Sequence, residues 1–168
     1  ITFVMLMLKN ILAFSVIIVF SLQINAQENV PNVDLRTIGG KSLKSIDILN
    51  NEGFSIISFW ATWCIPCINE LDAINDLYDS WNEKYNIKVV AVSTDDARSK
   101  KRVRPMVSGK NWAFDVYVDT NQEFKRSLNV SGIPHTIVVY GSKIIHRRIG
   151  YTPGEEKDLL NIISKYNQ

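Results

Sequence analysis

Cys64 and Cys67 are the only cysteines of the 168-residue chain, and they stand three positions apart in Trp63-Cys64-Ile65-Pro66-Cys67. Thiols at this spacing can close a small disulfide ring and reopen it, exchanging two electrons. Only the thiolate attacks a disulfide, so whatever stabilises negative charge on one sulfur decides which sulfur starts. A helix beginning at the pair would favour Cys64, because a helix N-terminus carries partial positive charge. Cys67 falls on the apolar stripe of that helix, which suits it to resolving a mixed disulfide rather than starting one. Pro66 fits the first helical turn, where a missing N–H costs little. Spacing alone leaves two other readings open. The pair could be half of a zinc site, although there is no second pair and the only histidines are His135 and His146. It could also be an inert structural disulfide, although so short a loop would add little stability.

The elements that must position this pair are legible from periodicity. Phe54-Ser55-Ile56-Ile57-Ser58-Phe59-Trp60 reads as a buried strand running into the cysteines. Cys67, Leu71, Ile74, Tyr78 and Trp81 then recur at helical spacing, one stripe toward a core. Ile87 to Val92 is a second buried strand rich in β-branched residues. Val33 to Ile38 alternates as a half-buried strand and Gly39-Gly40 turns it. Asp115 to Asp119 reads as a strand and Gln122 to Leu128 as a short helix. His135 to Tyr140 and Lys143 to Ile149 flank Gly141-Ser142, a two-residue hairpin signal. Thr152-Pro153-Gly154-Glu155 reads as a capping box with proline at the first helical position, opening a last helix that buries Leu159, Ile162, Ile163 and Tyr166. Strands alternating with helices predict an α/β fold, with a central mixed β-sheet flanked by helices and closed by a C-terminal hairpin and helix.

Apolar residues make up 46% and charged residues 21%, as in an ordinary globular domain. Nineteen basic side chains against 17 acidic ones leave a net charge of +2, so nucleic acid is not an expected partner. The basic groups are uneven: Arg98, Lys100, Lys101, Arg102, Arg104 and Lys110 lie in a stretch from Ala97 with no acid. That stretch is either a docking patch for an acidic partner or a solvated helix face. Near the start, Lys9 precedes the apolar run Ile11 to Leu22 and Ala26 follows it, the layout of a secretory signal. The run falls short of the ~20 residues a membrane span needs, although the apolar residues before Lys9 would lengthen it into an anchor. Residues 1–26 are therefore expected to be a signal peptide or N-terminal membrane anchor, and 27–168 one domain. Membrane contact would come only through residues 1–26 if they are uncleaved, and export would place the cysteines where disulfides persist.

Phe59-Trp60-Ala61-Thr62-Trp63-Cys64-Ile65-Pro66-Cys67, with Gly132-Ile133-Pro134 further on, resembles the active-site segment and cis-proline loop of the thioredoxin superfamily. Gly150-Tyr151 and Glu70 resemble its exported, membrane-associated branch of TlpA/ResA-like proteins. The resemblance runs from about Val30 to Gln168 and implies a thioredoxin-like fold. It implies an exported thiol-disulfide oxidoreductase of the cell envelope or periplasm, more reducing than oxidising, whose redox group is the Cys64–Cys67 disulfide and which needs no other cofactor. Its partners would be client protein disulfides, in cytochrome c biogenesis or at copper sites, and a membrane thiol donor.

The same resemblance assigns roles. Cys64 would be the nucleophile and Cys67 the resolving thiol. Pro134 would be the cis-proline of the substrate groove, bordered by Trp63, Ile65, Pro66 and Ile133. Glu70 would manage the Cys67 proton, unless it is an ordinary solvated helix carboxylate. Cytosolic thioredoxins carry a buried aspartate six residues before the first cysteine, where this chain has Ser58, which makes Glu70 the candidate proton acceptor. Two alternatives compete. Cys64, Cys67 and His135 could bind copper, since thiolates with imidazole suit that metal. A peroxidase would want Pro and Thr ahead of its cysteine, where Ile57 and Ala61 stand.

Overall fold

The seven residues Phe54–Trp60 are all buried, and this strand (β3) is the one on which the two faces of the molecule are built. In the computed structural model, which describes residues 28–166, β3 lies inside a seven-stranded mixed sheet of order β2-β1-β5-β4-β3-β6-β7. The strands are β1 Asp34–Thr37, β2 Ser42–Lys44, β4 Ile87–Ser93, β5 Asp115–Val118, β6 His135–Tyr140 and β7 Lys143–Ile149. The signal or anchor read at residues 1–26 lies outside the described residues.

β3, β4 and β5 are parallel, joined by crossovers that carry α1 (Ile65–Tyr85) and α2 (Val103–Lys110). β6 runs antiparallel to β3, and β7 antiparallel to β6. Alternation along β3 splits its side chains between two cores. Ile56 and Trp60 join Cys67, Leu71, Ile74 and Trp81 of α1 on one face. Ile57 and Phe59 join Phe124 and Leu128 on the other, where α3 (Glu123–Ser127) packs. Burying each of these large side chains is worth roughly 1.5–3 kcal/mol. α1 stops at Asn86, whose φ of 50° is left-handed and whose N–H caps back to the Asn82 carbonyl. Among the described residues no helix is long and apolar enough to cross a membrane.

Two elements lie beyond the sequence reading and two expectations need correction. Ser42–Lys44 is a short strand paired with β1, and Ser45–Ile48 a 3-10 turn, neither of which periodicity marks. The last helix, α4, spans Glu156–Tyr166 and so starts after the Thr152–Glu155 box rather than inside it. Gly154 has φ of 101°, which is incompatible with a helix, so Pro153 sits in a turn. Half of the box forms all the same, with the Thr152 N–H donating to the Glu155 carboxylate at 2.9 Å. Finally, α4 buries Leu159 and Ile163, while Ile162 is half-buried and Tyr166 is exposed, its ring lying against Phe54 and Tyr140 at the rim.

Candidate active site

The cysteines sit where β3 ends and α1 begins. A short connection, Ala61-Thr62-Trp63, turns the chain, and the Cys64 N–H donates to the Ala61 carbonyl at 3.0 Å. Cys64 is the N-cap of α1 and Pro66 lies in its first turn, exposed. Cys64 and Cys67 are joined in a disulfide across a Cα–Cα distance of 5.3 Å. Cys64 is 6% exposed and Cys67 is fully buried, so the sulfur at the helix N-terminus is the one that faces outward. Trp63 and Ile65 flank it at 61% and 64% exposure, large apolar side chains that the fold leaves in water beside the disulfide.

A buried carboxylate holds this connection. Asp95, just past β4, accepts the Thr62 N–H at 2.9 Å and the Thr62 hydroxyl at 2.7 Å, and Ser93 donates to it at 2.8 Å. The parallel register that sets Trp60 against Ser93 brings the two loops together. Asp95 was not among the residues the sequence singled out. A lone Asp after an apolar strand has no spacing that separates it from a solvated one.

Glu70 lies one turn beyond Cys67 and is fully buried, which rules out the solvated-carboxylate reading. Beneath it, Ser58, Thr136 and Arg148 are register partners on β3, β6 and β7, a single row crossing three strands. All three donate to the carboxylate: Ser58 Oγ at 3.3 Å, Thr136 Oγ1 at 2.8 Å and the Arg148 guanidinium at 2.7 Å. The Glu70 carboxylate thus reaches, from the helix above, the position at which the resemblance sets Ser58 in place of an aspartate. Burial pushes the Glu70 acid up from its ordinary 4.5, against the opposing pull of Arg148, Thr136 and Ser58. Arg148 is fixed in turn by donating to the Glu155 carbonyl ahead of α4. Thr136 and Arg148 were missed at the sequence level. Both stand in strands whose alternation gives the face but not the partner.

The loop before β6 completes the site. The Ile133–Pro134 peptide bond is cis, Pro134 is buried, and its carbonyl accepts the Gly150 N–H at 2.8 Å. That bond ties the Gly150-Tyr151 segment to the proline loop. Ile133 is half-buried and packs against the core cluster containing both cysteines.

His135 does not join the cysteines. It precedes Thr136, which faces α1, so alternation turns its ring to the opposite face of the sheet, beside Phe59. Burial, and then the Arg147 cation, lower the His135 pKa below its usual 6.5. The copper site of Cys64, Cys67 and His135 therefore lacks its third ligand. Among the described residues no group of three His, Cys, Asp or Glu side chains could hold a metal ion.

Comparison with known proteins agrees with this geometry. A family model described as the AhpC/TSA family matches residues 26–148. Thiol-disulfide oxidoreductase ResA of Bacillus thuringiensis (strain Al Hakam) is 25% identical over 130 residues, covering 77% of this chain and 72% of that protein. The solution structure of an uncharacterized thioredoxin-like protein from Porphyromonas gingivalis superposes with a TM-score of 0.72 at 36% identity, over 81% of this chain and 90% of the other. StoA from Bacillus subtilis shares the fold, with a TM-score of 0.63 at 21% identity over 79% of this chain and 96% of the other.

Proposed function

The chain belongs to the AhpC/TSA family and is a thiol-disulfide oxidoreductase of thioredoxin-like fold, and from that premise we propose that it is an exported reductase of client protein disulfides. The observation that carries this reading is the asymmetry of the Cys64–Cys67 pair. One sulfur stands at a helix N-terminus between two exposed apolar side chains, and the other is sealed in the core.

The chemistry follows from that asymmetry. In the reduced protein, a Cys64 thiolate stabilised by the α1 N-terminus attacks one sulfur of a client disulfide, and the other client sulfur leaves as a thiolate. A mixed disulfide now joins Cys64 to the client. Cys67 gives up its proton and attacks Cys64 Sγ, releasing the second client thiolate and closing the Cys64–Cys67 bond. Two electrons have passed to the client, and a membrane thiol donor returns them by the same exchange in reverse. Glu70 is the proton acceptor for Cys67, because it is the buried carboxylate one helical turn away. Trp63, Ile65, Pro66 and Ile133 border the groove beside Pro134 in which the client chain lies.

The Cys-x-Pro-Cys form supports the reducing direction, and clients of the apocytochrome c or copper-site kind fit an exported reductase. The direct test is reduction of insulin disulfides by the reduced chain, set beside a copper titration of the same sample. Stoichiometric insulin reduction with weak copper binding supports the reading. Tight copper binding by both thiols without insulin reduction would replace it.

A further inference from the structure

The basic stretch that the sequence singled out has no part in the exchange chemistry, yet it lies on the same end of the molecule as the disulfide. It follows β4 through a 3-10 turn (Lys100–Arg102) into α2. Arg98, Lys100, Lys101, Arg102 and Arg104 are all exposed. Lys110 is ion-paired with Asp72, but none of these five is in an ion pair among the described residues. The acid nearest in sequence, Asp96, is exposed at the start of the stretch, where it accepts the Arg98 and Ser99 N–H groups and the Ser99 hydroxyl. Lys100 and Lys101 also meet Arg36 of β1 across an open cleft of about 580 Å³, with Thr37, Thr120 and Asn121 on its walls. On the far side of Arg36 an adjoining cleft holds Asp34 and Glu123, so the positive field is bounded there. Asp34 is itself paired with Lys44.

The two hydrogen bonds between Thr62 and Asp95 fix how far this surface is from the redox centre. Cys64 is two residues past Thr62, and Arg98 is three past Asp95. At ~3.3–3.6 Å per residue their backbones can be no more than about 25 Å apart. One partner's footprint in a standard interface, about 800 Å², is roughly 30 Å across. A single docked protein therefore covers both the disulfide and Arg98, the first of the cations. The combined surface has the anatomy of an interface, with an apolar centre at Trp63 and Ile65 and a charged rim on one side. Unpaired like charges held together on that rim repel one another, and an acidic partner relieves this where a neutral one does not.

We propose that the surface formed by Arg36, Arg98, Lys100, Lys101, Arg102 and Arg104 is a docking site for disulfide-bearing client proteins that carry acidic side chains beside their cystine. This rests on the reductase reading above and adds which clients are chosen. The field steers acidic clients toward Cys64, and the cleft between Arg36 and Lys100 receives one or two of their carboxylates. Steering of this kind raises association rates by roughly 10–10³-fold and is screened by salt.

The experiment uses the full chain in its reduced form and three disulfide-linked peptides differing only in Glu, Gln or Lys residues flanking the cystine. Second-order exchange rates are measured at about 0.01 M and about 0.15 M ionic strength, where the Debye length falls from ~30 to ~8 Å. The Glu peptide should react at least about tenfold faster than the Lys peptide at low salt, with most of the difference lost at high salt. The combined Lys100→Gln, Lys101→Gln and Arg102→Gln variant should lose the preference, while its rate with neutral 2-hydroxyethyl disulfide stays that of the parent. Equal rates for the Glu and Lys peptides, or a preference that survives the substitutions, would overturn the proposal. Binding of the patch to phosphatidylserine vesicles with no preference among peptides would assign it to a membrane surface and equally overturn it. Failure with 2-hydroxyethyl disulfide itself would remove the exchange chemistry, and the docking proposal with it.

Discussion

Glu70 and Arg148 meet at 2.7 Å across 78 positions of sequence, one from the helix that carries the cysteines and the other from the last strand of the sheet. Glu70 is fully buried and the Arg148 side chain is 15% exposed. A buried carboxylate is costly to ionise unless donors meet it, and here three donors do. Its acid is nonetheless raised from its ordinary value, because burial outweighs them. A raised acid is what the proposed proton transfer from Cys67 would use.

Glu70→Gln tests this directly. The amide keeps the shape and some hydrogen bonds but accepts no proton. Resolution of a mixed disulfide on Cys64 should slow by ~10²–10⁴-fold, the usual worth of general-base help. Alkylation of Cys64 should hardly change. Stopped-flow measurement of both steps separates them, and an unchanged resolution rate would make Glu70 a purely structural acceptor.

Arg148→Gln should move the pH profile of resolution upward. It removes a hydrogen bond and a charge that both favour the ionised carboxylate, so burial acts with less opposition. Arg148→Lys should restore part of the shift. A profile that stays in place in Arg148→Gln would mean that Arg148 holds the sheet and α4 together without acting on Glu70.

Stability should carry the same signature, with a definite sign. Glu70 is raised above the value of 4.5 that applies to it in the unfolded chain, so the folded protein binds this proton more tightly. Its contribution to stability is fully present below 4.5 and is lost as pH rises through the folded value. Urea melts between about pH 4 and pH 8 should show parent stability falling relative to Glu70→Gln across that range. The opposite slope would mean that Arg148 outweighs burial.

Asp95→Ala should loosen the connection that presents Cys64. It strands the buried Thr62 N–H and hydroxyl without their acceptor. An unsatisfied buried donor costs ~1–3 kcal/mol, which a shift in denaturant midpoint would register. Asp95→Asn, which keeps an acceptor, should cost less. If alanine and asparagine were equally mild, the loop would be held by β3 and α1 alone.

The parts of the molecule legible in the sequence were those that chain-local patterns encode. The β3 strand is a short apolar run, the α1 stripe repeats with helical spacing, the hairpin is marked by Gly141-Ser142, and the cysteine pair is read within five residues. The start of α4 was misplaced because the box at Thr152 has a valid capping pattern, and only the left-handed backbone at Gly154 breaks it. The cradle beneath Glu70 was hidden for a different reason. Ser58, Thr136 and Arg148 become a row only through the register of β3, β6 and β7, which no single strand contains. His135 shows the converse. Adjacent to the proline loop in sequence, it is carried to the far face by one step of strand alternation.

The division of labour between the two sulfurs is tested most directly by trapping. Cys67→Ser and Cys64→Ser chains are each incubated with a disulfide-bonded client, and covalent adducts are quantified by mass spectrometry under non-reducing conditions. The N-cap position of Cys64, the less buried of the two, predicts that Cys67→Ser accumulates a client joined through Cys64, since nothing remains to resolve it. Cys64→Ser should trap little, because Cys67 is sealed in the core. Equal trapping by both variants, or adducts through Cys67 alone, would contradict attack by Cys64.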